Sequence, residues 1–495
     1  MTNQRILFSF APTMDQHDRF FNCYPGSILH AIAPLVDEVD NGRVDLDYVP
    51  FLFHPKNFDE RTLPSMERIL REYKPSFFAI SSTYDSWHVA LKMAKTAKRV
   101  NPKIIVIQGG PHLDEVLEPW VMGRMPHLNP FNGRPETNNA IDFAVAGDGE
   151  YSLLRIVNDC LKNANLQRAK EYIKDHYDEY KNLPGRGTVS FLDNNREQVL
   201  LRHRGVLDLN AVPFVPRHLL PVSEMYDFDC FKDEVERRLE TVTMITHRGC
   251  MARCNFCSEG LPYQQRSLEH IAAEADKLRA LGVKAIFLDD STIQDDPNYL
   301  RMFSELHKRG FQIGALTRFD HLQDPDEVME IRKSGVTYAY ASIEQYDNSS
   351  LDLMNKNLKA EQIDRGIENL RRAGIKLGVS TLYGLPYETS ESVSSTLDYV
   401  QRRVQDGSIE YVSMSLYSFH PRTPLGQIHK DVVGELDFDR GPPNLRWPFT
   451  GFEEGTWYHP KHVTADYVGN ILLRANEKFG HRLVRNIGMH RGKNG

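Results

Sequence analysis

The sequence has few cysteines, no long apolar run and no excess of positive charge. Its 495 residues include only six cysteines, which excludes a disulfide-rich scaffold, since such scaffolds place many cysteines in short chains. No apolar stretch approaches the roughly 20 residues that span a bilayer, and the amino terminus lacks the apolar core of a signal peptide. With 60 basic and 67 acidic residues the net charge is −7, which favours neither nucleic acid nor an anionic membrane. We expect a soluble, cytoplasmic protein.

The composition indicates a folded chain of several domains. Hydrophobic residues make up 41% of the sequence and charged residues 26%, a balance that supplies a packed core and argues against disorder. An alternation of strand and helix covers residues 1–163, with strands predicted at residues 5–12, 44–51, 76–82, 103–108 and 141–146. Continuous apolar strands between amphipathic helices predict an α/β domain with a doubly wound parallel sheet, whose ligands lie at the carboxyl ends of the strands.

A second block of the same alternation covers residues 236–425. Strands are predicted there at residues 241–246, 284–289, 312–317, 337–343, 376–382 and 411–417. Six strand–helix units fit a partial (β/α)6 parallel barrel, because a complete eight-unit barrel needs about 250 residues. Residues 164–235 break the alternation and are interpreted as a linker with a small hairpin, and residues 426–495 as a mostly helical cap.

Three cysteines stand together directly after the first predicted barrel strand. Cys250, Cys254 and Cys257 form a C-x3-C-x2-C pattern, at the end of the strands where barrel enzymes place their chemistry. Thiolates hold iron–sulfur clusters, and three thiolates on a four-iron cluster leave one iron open for a ligand. A structural zinc site completed by His247 is the alternative, although zinc ligands usually come from two separate knuckles. The other cysteines are isolated and are interpreted as packing or surface thiols: Cys23, Cys160 and Cys230.

With its neighbours, this motif resembles the signature of radical S-adenosylmethionine (radical SAM) enzymes. An aromatic residue, Phe256, precedes the last cysteine, as it does in that family. Further motifs within residues 236–425 follow in the family's order, each at or near a predicted strand end: Arg248-Gly249, Arg266-Ser267, Asp289-Asp290, Thr317-Arg318, Ser342-Ile343-Glu344 and Tyr383-Gly384. Together with the α/β first block, this set is similar to the subgroup whose amino-terminal domain binds cobalamin.

The resemblance implies that the three cysteines hold a [4Fe–4S] cluster, whose fourth iron is chelated by S-adenosylmethionine. It assigns six further residues to that cofactor: Phe256, Asp289, Asp290, Arg318, Glu344 and Gly384. Asp289 and Asp290 replace the Gly-Gly-Glu stretch that is usual in the family. Arg318 suits a carboxylate by bidentate pairing, and Glu344 suits ribose hydroxyls. The alternatives are structural ion pairs at the barrel mouth and, at Gly384, a simple turn.

The first block lacks the G-x-G-x-x-G fingerprint after its first strand, which disfavours NAD or FAD. Small or polar residues instead follow three predicted strands: Ser81, Ser82, Thr83, Gly109, Gly110, Gly147, Gly149 and Glu150. This pattern is similar to the family's cobalamin-binding domain, in which the nucleotide tail threads between strands; tight βα turns are the alternative. His17 stands in an Asp-x-His-x-x-Gly-like motif whose glycine is replaced by Phe20, and we expect it not to ligate cobalt.

The activity implied by the resemblance is that of a cobalamin-dependent radical SAM methyltransferase. Such an enzyme uses a 5′-deoxyadenosyl radical and methylcobalamin to methylate an unactivated carbon of a small molecule or natural product. The alternative is an oxidative cyclase or rearrangement enzyme with the same cofactors. Two further hypotheses are a first domain that lacks cobalamin and a non-catalytic metal-binding protein.

The implied partners are a small-molecule substrate and an external electron donor of the flavodoxin or ferredoxin type. A basic carboxy-terminal module of the kind found in tRNA-modifying relatives is lacking, which disfavours nucleic acid. Residues of the predicted cap form either a substrate wall or an ordinary core: Trp447, Trp457, Tyr458, His459 and His462. The identity of the substrate does not follow from the sequence.

Overall fold

The computed structural model describes residues 4–10, 26–50, 62–82, 86–111, 113–114, 117, 139–219, 231–232, 239–259, 263–417, 422–428, 465–479 and 483–484. The chain divides into two compact units, with the change from the first to the second near residue 220. No helix among these described residues has the length and apolarity needed to cross a membrane. The residues His17, Thr83, Trp447, Trp457, Tyr458, His459 and His462 lie outside the described part of the chain.

The first unit contains one sheet with helices between its parallel strands. The strands are β1 (Arg5–Phe10), β2 (Asp47–Pro50), β3 (Phe77–Ser81), β4 (Ile105–Gly109), β5 (Phe143–Gly147), β6 (Arg186–Leu192) and β7 (Gln198–Arg204). The helices are α1 (Gly26–Asp40), α2 (Thr62–Tyr73), α3 (Trp87–Val100), α4 (Glu150–Lys162), α5 (Leu166–Asp175) and α6 (Tyr177–Lys181). The sheet order is β2-β1-β3-β4-β5-β6-β7, with β1 to β5 parallel. The order 2-1-3-4-5 is that of a doubly wound fold.

The hairpin expected within the linker differs from its prediction in one respect. It forms β6 and β7, but β6 pairs antiparallel with β5, so the sheet is mixed and the hairpin belongs to the first unit. The reason is apolar packing: Val189 and Phe191 are fully buried, and the Phe191 ring lies 5.3 Å from that of Phe143. Gly187 lets the strands approach, since a Cβ there would stand 2.6 Å from the Ala146 oxygen.

The second unit is a curled, parallel half-barrel sheet with helices between its strands. Its strands are β8 (Thr241–Met244), β11 (Ala285–Leu288), β12 (Gln312–Thr317), β13 (Val336–Glu344), β14 (Lys376–Tyr383), β15 (Tyr411–Leu416) and β16 (Leu483–Val484), and a small ribbon pairs β9 (His247–Arg248) with β10 (Gln264–Gln265). The helices are α7 (Leu268–Ala280), α8 (Tyr299–Lys308), α9 (Pro325–Lys333), α10 (Asn348–Leu353), α11 (Ala360–Ala373), α12 (Ser390–Gln405), α13 (Pro424–Ile428) and α14 (Ala465–Phe479). All the strands of the main sheet run parallel, in chain order from β8 to β16.

The described part of the predicted carboxy-terminal cap contains a short strand besides its helical residues. Leu483 and Val484 pair with Val412 and Ser413 of β15, and α14 precedes them as the connecting helix. Two residues are too few for the period-2 pattern by which a strand is predicted. The sheet therefore has one strand more than the six expected.

Side-chain caps start two of the helices in the second unit, α7 and α12. Ser267 accepts a hydrogen bond from the His270 N–H at the start of α7, and Thr389 accepts one from the Ser392 N–H at the start of α12. Such caps satisfy backbone donors that a helix leaves open at its first turn. The cap at Thr389 thereby holds the end of the loop that leaves β14.

Candidate active site at the carboxyl ends of the half-barrel strands

The three cysteines lie on the loop that follows β8. Cys250 and Cys254 are half-buried, Cys257 is exposed, and all three thiols are free. Two hydrogen bonds hold the loop to the segment after α10: the Asn255 N–H donates to the Met354 backbone oxygen at 3.0 Å, and the Asn355 side-chain Nδ2 donates to the Arg253 backbone oxygen at 2.6 Å. Three thiols without disulfide partners thus lie on one short, anchored loop.

Asp290 anchors the start of this loop. Its carboxylate is 1% exposed and accepts hydrogen bonds from the Thr246 N–H and hydroxyl, both at 2.7 Å, and from the His247 N–H at 3.0 Å. These bonds tie the end of β11 to the cysteine loop. The family resemblance implies that Asp290 contacts S-adenosylmethionine, whereas in the structure its carboxylate is hydrogen-bonded to Thr246 and His247.

Removal of the Asp290 carboxylate is expected to destabilise the cysteine loop. Asp290→Ala leaves the buried donors of Thr246 and His247 unsatisfied, and each such group costs about 1–3 kcal/mol. We expect the free energy of unfolding to fall by about 3 kcal/mol or more, measured by urea denaturation, and iron binding to weaken. Asp276→Ala is the matched control, because the Asp276 side chain is 65% exposed and such pairs contribute little. Equal stability of both variants would contradict the anchoring role.

The donor set fits an iron–sulfur cluster better than a single zinc ion. His247, the fourth ligand of the zinc alternative, is fully buried, and its Nδ1 lies 3.7 Å from Asp290 Oδ1. Within the described ranges, no three histidine, cysteine, aspartate or glutamate side chains are grouped so as to hold one metal ion. A four-iron cluster binds each thiolate at a different iron, so its ligands need not converge on one point. Burial raises the pKa of the Cys250 thiol, which a bound iron offsets.

Arg318, at the end of β12, is engaged by protein groups. Its Nε and Nη2 donate to the Asp320 carboxylate at 3.0 and 2.9 Å, and Nη2 also donates to the Lys356 oxygen at 2.6 Å. Nη1 points to Cys254 Sγ at 3.7 Å. The guanidinium therefore forms the ion pair that was the structural alternative, and it contacts a cysteine of the motif.

Lys356 is a residue that the sequence analysis missed. Its Nζ lies 2.8 Å from Glu344 Oε1, and the two side chains are only 6% and 10% exposed. The same Nζ lies 5.8 Å from the centre of the Phe256 ring. Lys356 therefore joins the end of β13 to the cysteine loop. No local pattern identifies it, because both partners are distant in sequence.

Glu344 itself has an unusual backbone. It ends β13 in the left-handed region, at φ 58°, which is uncommon for a residue other than glycine and is often associated with functional sites. This conformation accompanies the irregular pairing of β13 with β14 near Ser342. The carboxylate is thereby directed to Lys356.

Gly384 begins a second polar group at the end of β14. Its N–H donates to Glu388 Oε2 at 3.0 Å and to the Tyr467 hydroxyl of α14 at 2.9 Å. Glu388 also accepts from Gln345 and Tyr467, and burial raises the pKa of Glu388 to about 8. The group connects β13, β14 and the carboxy-terminal helix. The sequence motif that begins at Tyr383 includes Gly384 and Glu388, but it does not indicate Gln345 or Tyr467 as their partners.

Asp289 differs from its neighbour in being accessible. It directly follows β11 and has an exposed side chain, yet desolvation by the surrounding protein, and then the charges of Asp290 and Glu259, raise its pKa to about 6. A carboxylate that a ligand can reach, but that is partly desolvated by the protein around it, is suited to bind a cationic group. Of the two aspartates, Asp289 is the one whose side chain is accessible, whereas Asp290 is buried.

In the first unit, β3, β4 and β5 end side by side. Gly110 and Gly147 have positive φ angles of 101° and 81°, and a Cβ on either would clash, at 2.5 Å from the Ser82 oxygen and at 2.2 Å from the Arg186 oxygen. The backbone conformation alone therefore explains why glycine occupies these two positions. Gly109 and Gly149 are different, because a Cβ there would meet nothing nearer than 3.6 and 3.7 Å.

The same strand ends carry buried polar groups. Ser81 and Ser82 are 8% and 0% exposed, and Glu150 at the start of α4 is 3% exposed. Gln108 donates to the Ser82 hydroxyl at 2.9 Å, while its side-chain oxygen is buried without a hydrogen-bond partner. Because buried polar groups are normally satisfied, the Gln108 oxygen is suited to a donor from a bound molecule.

Comparison with known proteins identifies relatives for both units. Residues 244–400 match the Radical SAM superfamily model. The chain is 23% identical over 449 residues to the "Uncharacterized methyltransferase PH0819" of Pyrococcus horikoshii, an alignment that covers 88% of this chain and 85% of the relative. It is 25% identical over 390 residues to the anaerobic magnesium-protoporphyrin IX monomethyl ester cyclase of Cereibacter sphaeroides, covering 75% of this chain and 56% of that one.

A solved structure matches nearly the whole chain. It is the radical S-adenosylmethionine methyltransferase TsrM from Kitasatospora setae, determined with cobalamin and a [4Fe-4S] cluster bound. The TM-score is 0.63 at 15% sequence identity, over 99% of this chain and 92% of that one. At this identity the similarity is one of fold, and it includes both units.

Proposed function

We propose that this chain is a cobalamin-dependent radical SAM methyltransferase acting on an unactivated carbon of a small molecule. The observation that carries the proposal is the fold similarity to TsrM over 99% of the chain, because it includes the first unit as well as the barrel. Three free thiols on one anchored loop support it, as does the relationship to PH0819. The reductant is proposed to be an external flavodoxin or ferredoxin.

Cys250, Cys254 and Cys257 are proposed to hold the cluster, with S-adenosylmethionine beside it. Phe256 lies next to Lys356 and supplies an apolar face close to the cysteines. Asp289 is the accessible carboxylate for the amino group of S-adenosylmethionine, while Asp290 serves the loop. When bound, the cluster supplies the electron that cleaves S-adenosylmethionine, and cobalamin supplies the methyl group.

Cobalamin is proposed to bind at the ends of β3, β4 and β5. Gly109 and Gly149 leave space there, and the side-chain oxygen of Gln108 is available as an acceptor. Ser81 and Ser82 line the same strand ends. The contributions of Gly110 and Gly147 are those of the backbone turns that shape the site.

Filling this space is expected to block cobalamin binding. Gly109→Leu places a branched side chain in the space at the end of β4, and we expect cobalamin binding to fall at least tenfold, measured by absorbance after gel filtration. Gly109→Ala is the matched control and should retain most of the binding. The iron content should not change, because the cysteines belong to the other unit. Equal cobalamin binding by Gly109→Leu and the wild type would place the site elsewhere.

Product analysis tests the methyltransferase assignment. With reductant, cobalamin and S-adenosylmethionine, the enzyme is expected to release S-adenosylhomocysteine in a cobalamin-dependent manner. Substrate turnover should then yield S-adenosylhomocysteine and 5′-deoxyadenosine in near-equal amounts. Formation of 5′-deoxyadenosine and a changed substrate without S-adenosylhomocysteine would refute methyl transfer.

That last result would favour the second candidate, an oxidative cyclase or rearrangement enzyme with the same cofactors. The relationship to the magnesium-protoporphyrin IX monomethyl ester cyclase supports this candidate. This chain spans about half the length of that relative, 56%, and the two share 25% identity. The match to PH0819 covers 85% of the relative, which is why methyl transfer is preferred.

A further inference from the structure

We propose that the Arg318–Asp320 ion pair sets the reduction potential of the cluster by acting on Cys254, an inference that rests on the proposed function. The guanidinium Nη1 lies 3.7 Å from Cys254 Sγ, within hydrogen-bonding distance for sulfur. Arg318 is 12% exposed and Asp320 24% exposed. The charges are therefore only partly screened by water.

The contact is held in place from the other side of the guanidinium. Nε and Nη2 are bound by the Asp320 carboxylate, and Nη2 is also bound by the backbone oxygen of Lys356. These bonds use the donors that a bidentate carboxylate ligand would need. Arg318 is thus positioned toward the sulfur, and a role in binding the carboxylate of S-adenosylmethionine does not fit its contacts.

Charge and hydrogen bonding at the sulfurs are established determinants of cluster potential. One-electron reduction adds negative charge to the cluster and its thiolates, so a cation at Cys254 stabilises the reduced form and raises the potential. Asp320 opposes this effect, because its carboxylate neutralises the same guanidinium. The two members of the pair therefore act with opposite sign, which a merely structural ion pair would not do.

The test is a potentiometric titration of the reconstituted, full-length enzyme with dithionite, followed by electron paramagnetic resonance, without S-adenosylmethionine. Arg318→Gln should make reduction at a fixed potential at least tenfold less favourable, a shift of about 59 mV to more negative potential for one electron. Asp320→Asn leaves the guanidinium unneutralised and should shift the potential to more positive values. The double variant Arg318→Gln/Asp320→Asn should lie between the two.

Arg309→Gln is the matched control. Arg309 also binds two carboxylates, those of Asp276 and Glu305. It directly follows α8, and neither of these bonds involves the cysteine loop. Its replacement should leave the potential unchanged. If Arg318→Gln fails to assemble a cluster, Asp320→Asn still decides the matter by the sign of its shift.

The outcomes separate this inference from the proposed function. Unchanged potentials, or shifts of the same sign for Arg318→Gln and Asp320→Asn, would overturn the inference while leaving the cluster and its chemistry intact. A wild-type enzyme that binds a cluster with the expected shifts but never forms S-adenosylhomocysteine would overturn the methyltransferase assignment alone. A wild-type protein without any iron–sulfur cluster would overturn both.

Discussion

Cys254→Ala is expected to abolish cluster assembly and, with it, the formation of 5′-deoxyadenosine. The same result is expected for Cys250→Ala and Cys257→Ala. The three thiols share one loop, and the other cysteine among the described residues is Cys160, buried in the first unit. Because no further thiol stands in the loop, a lost ligand cannot be replaced.

The measurements are iron and sulfide content, the brown absorbance of the reconstituted protein and 5′-deoxyadenosine by chromatography. Each variant should fall to the background seen without protein. Cys160→Ala is the matched control, since it makes the same substitution in α4 and should keep both the cluster and the activity. Normal 5′-deoxyadenosine formation by any of the three loop variants would refute the cluster assignment.

The half-barrel could be predicted because its signals are local. The bounds of β12 in the structure are those expected from the sequence, residues 312–317, since this strand is a short and mostly apolar run with clear ends. The cysteine motif is likewise local, as its three ligands lie within eight residues of one another. Features of this kind can be predicted because they depend on neighbouring residues and not on distant segments of the chain.

Contacts between distant segments could not be predicted. The hairpin joins the first sheet through side chains such as Phe191, and β16 reaches β15 across a separation of about 70 residues. In the site, Lys356 lies close to Phe256, which is 100 positions earlier in the chain. A sequence read alone shows that Lys356 is basic but not what it meets.

The glycines show a different limit. The sequence places Gly109, Gly110, Gly147 and Gly149 together as candidates for a ligand slot. The structure divides them into two kinds. Positive φ angles and close backbone contacts require glycine at Gly110 and Gly147, but not at Gly109 and Gly149. The sign of φ is not encoded in residue identity, so a turn and a ligand site look alike before folding. Their part in binding cobalamin stays a prediction.

Lys356→Met is expected to destabilise the second unit by about 3–5 kcal/mol, the cost of leaving one member of a buried ion pair without its partner. The side chains of Lys356 and Glu344 are 6% and 10% exposed, so water cannot replace the lost ammonium group. Glu344→Gln should cost a similar amount, because it leaves Lys356 buried as an unpaired charge. Urea denaturation followed by circular dichroism measures both effects.

The double variant Lys356→Met/Glu344→Gln distinguishes an ion pair from two independent packing roles. If the charges depend on each other, the double variant loses much less stability than the sum of the single variants, with a coupling energy of about 1–3 kcal/mol. Lys333→Met is the control: Lys333 pairs with Glu330, but their side chains are 64% and 56% exposed, so the expected change is below about 1 kcal/mol. Because Lys356 also lies over the Phe256 ring, Lys356→Met should bind less iron than the wild type. If the stability losses of the two single variants simply add in the double variant, and iron binding stays complete, the ion pair does not hold the cysteine loop.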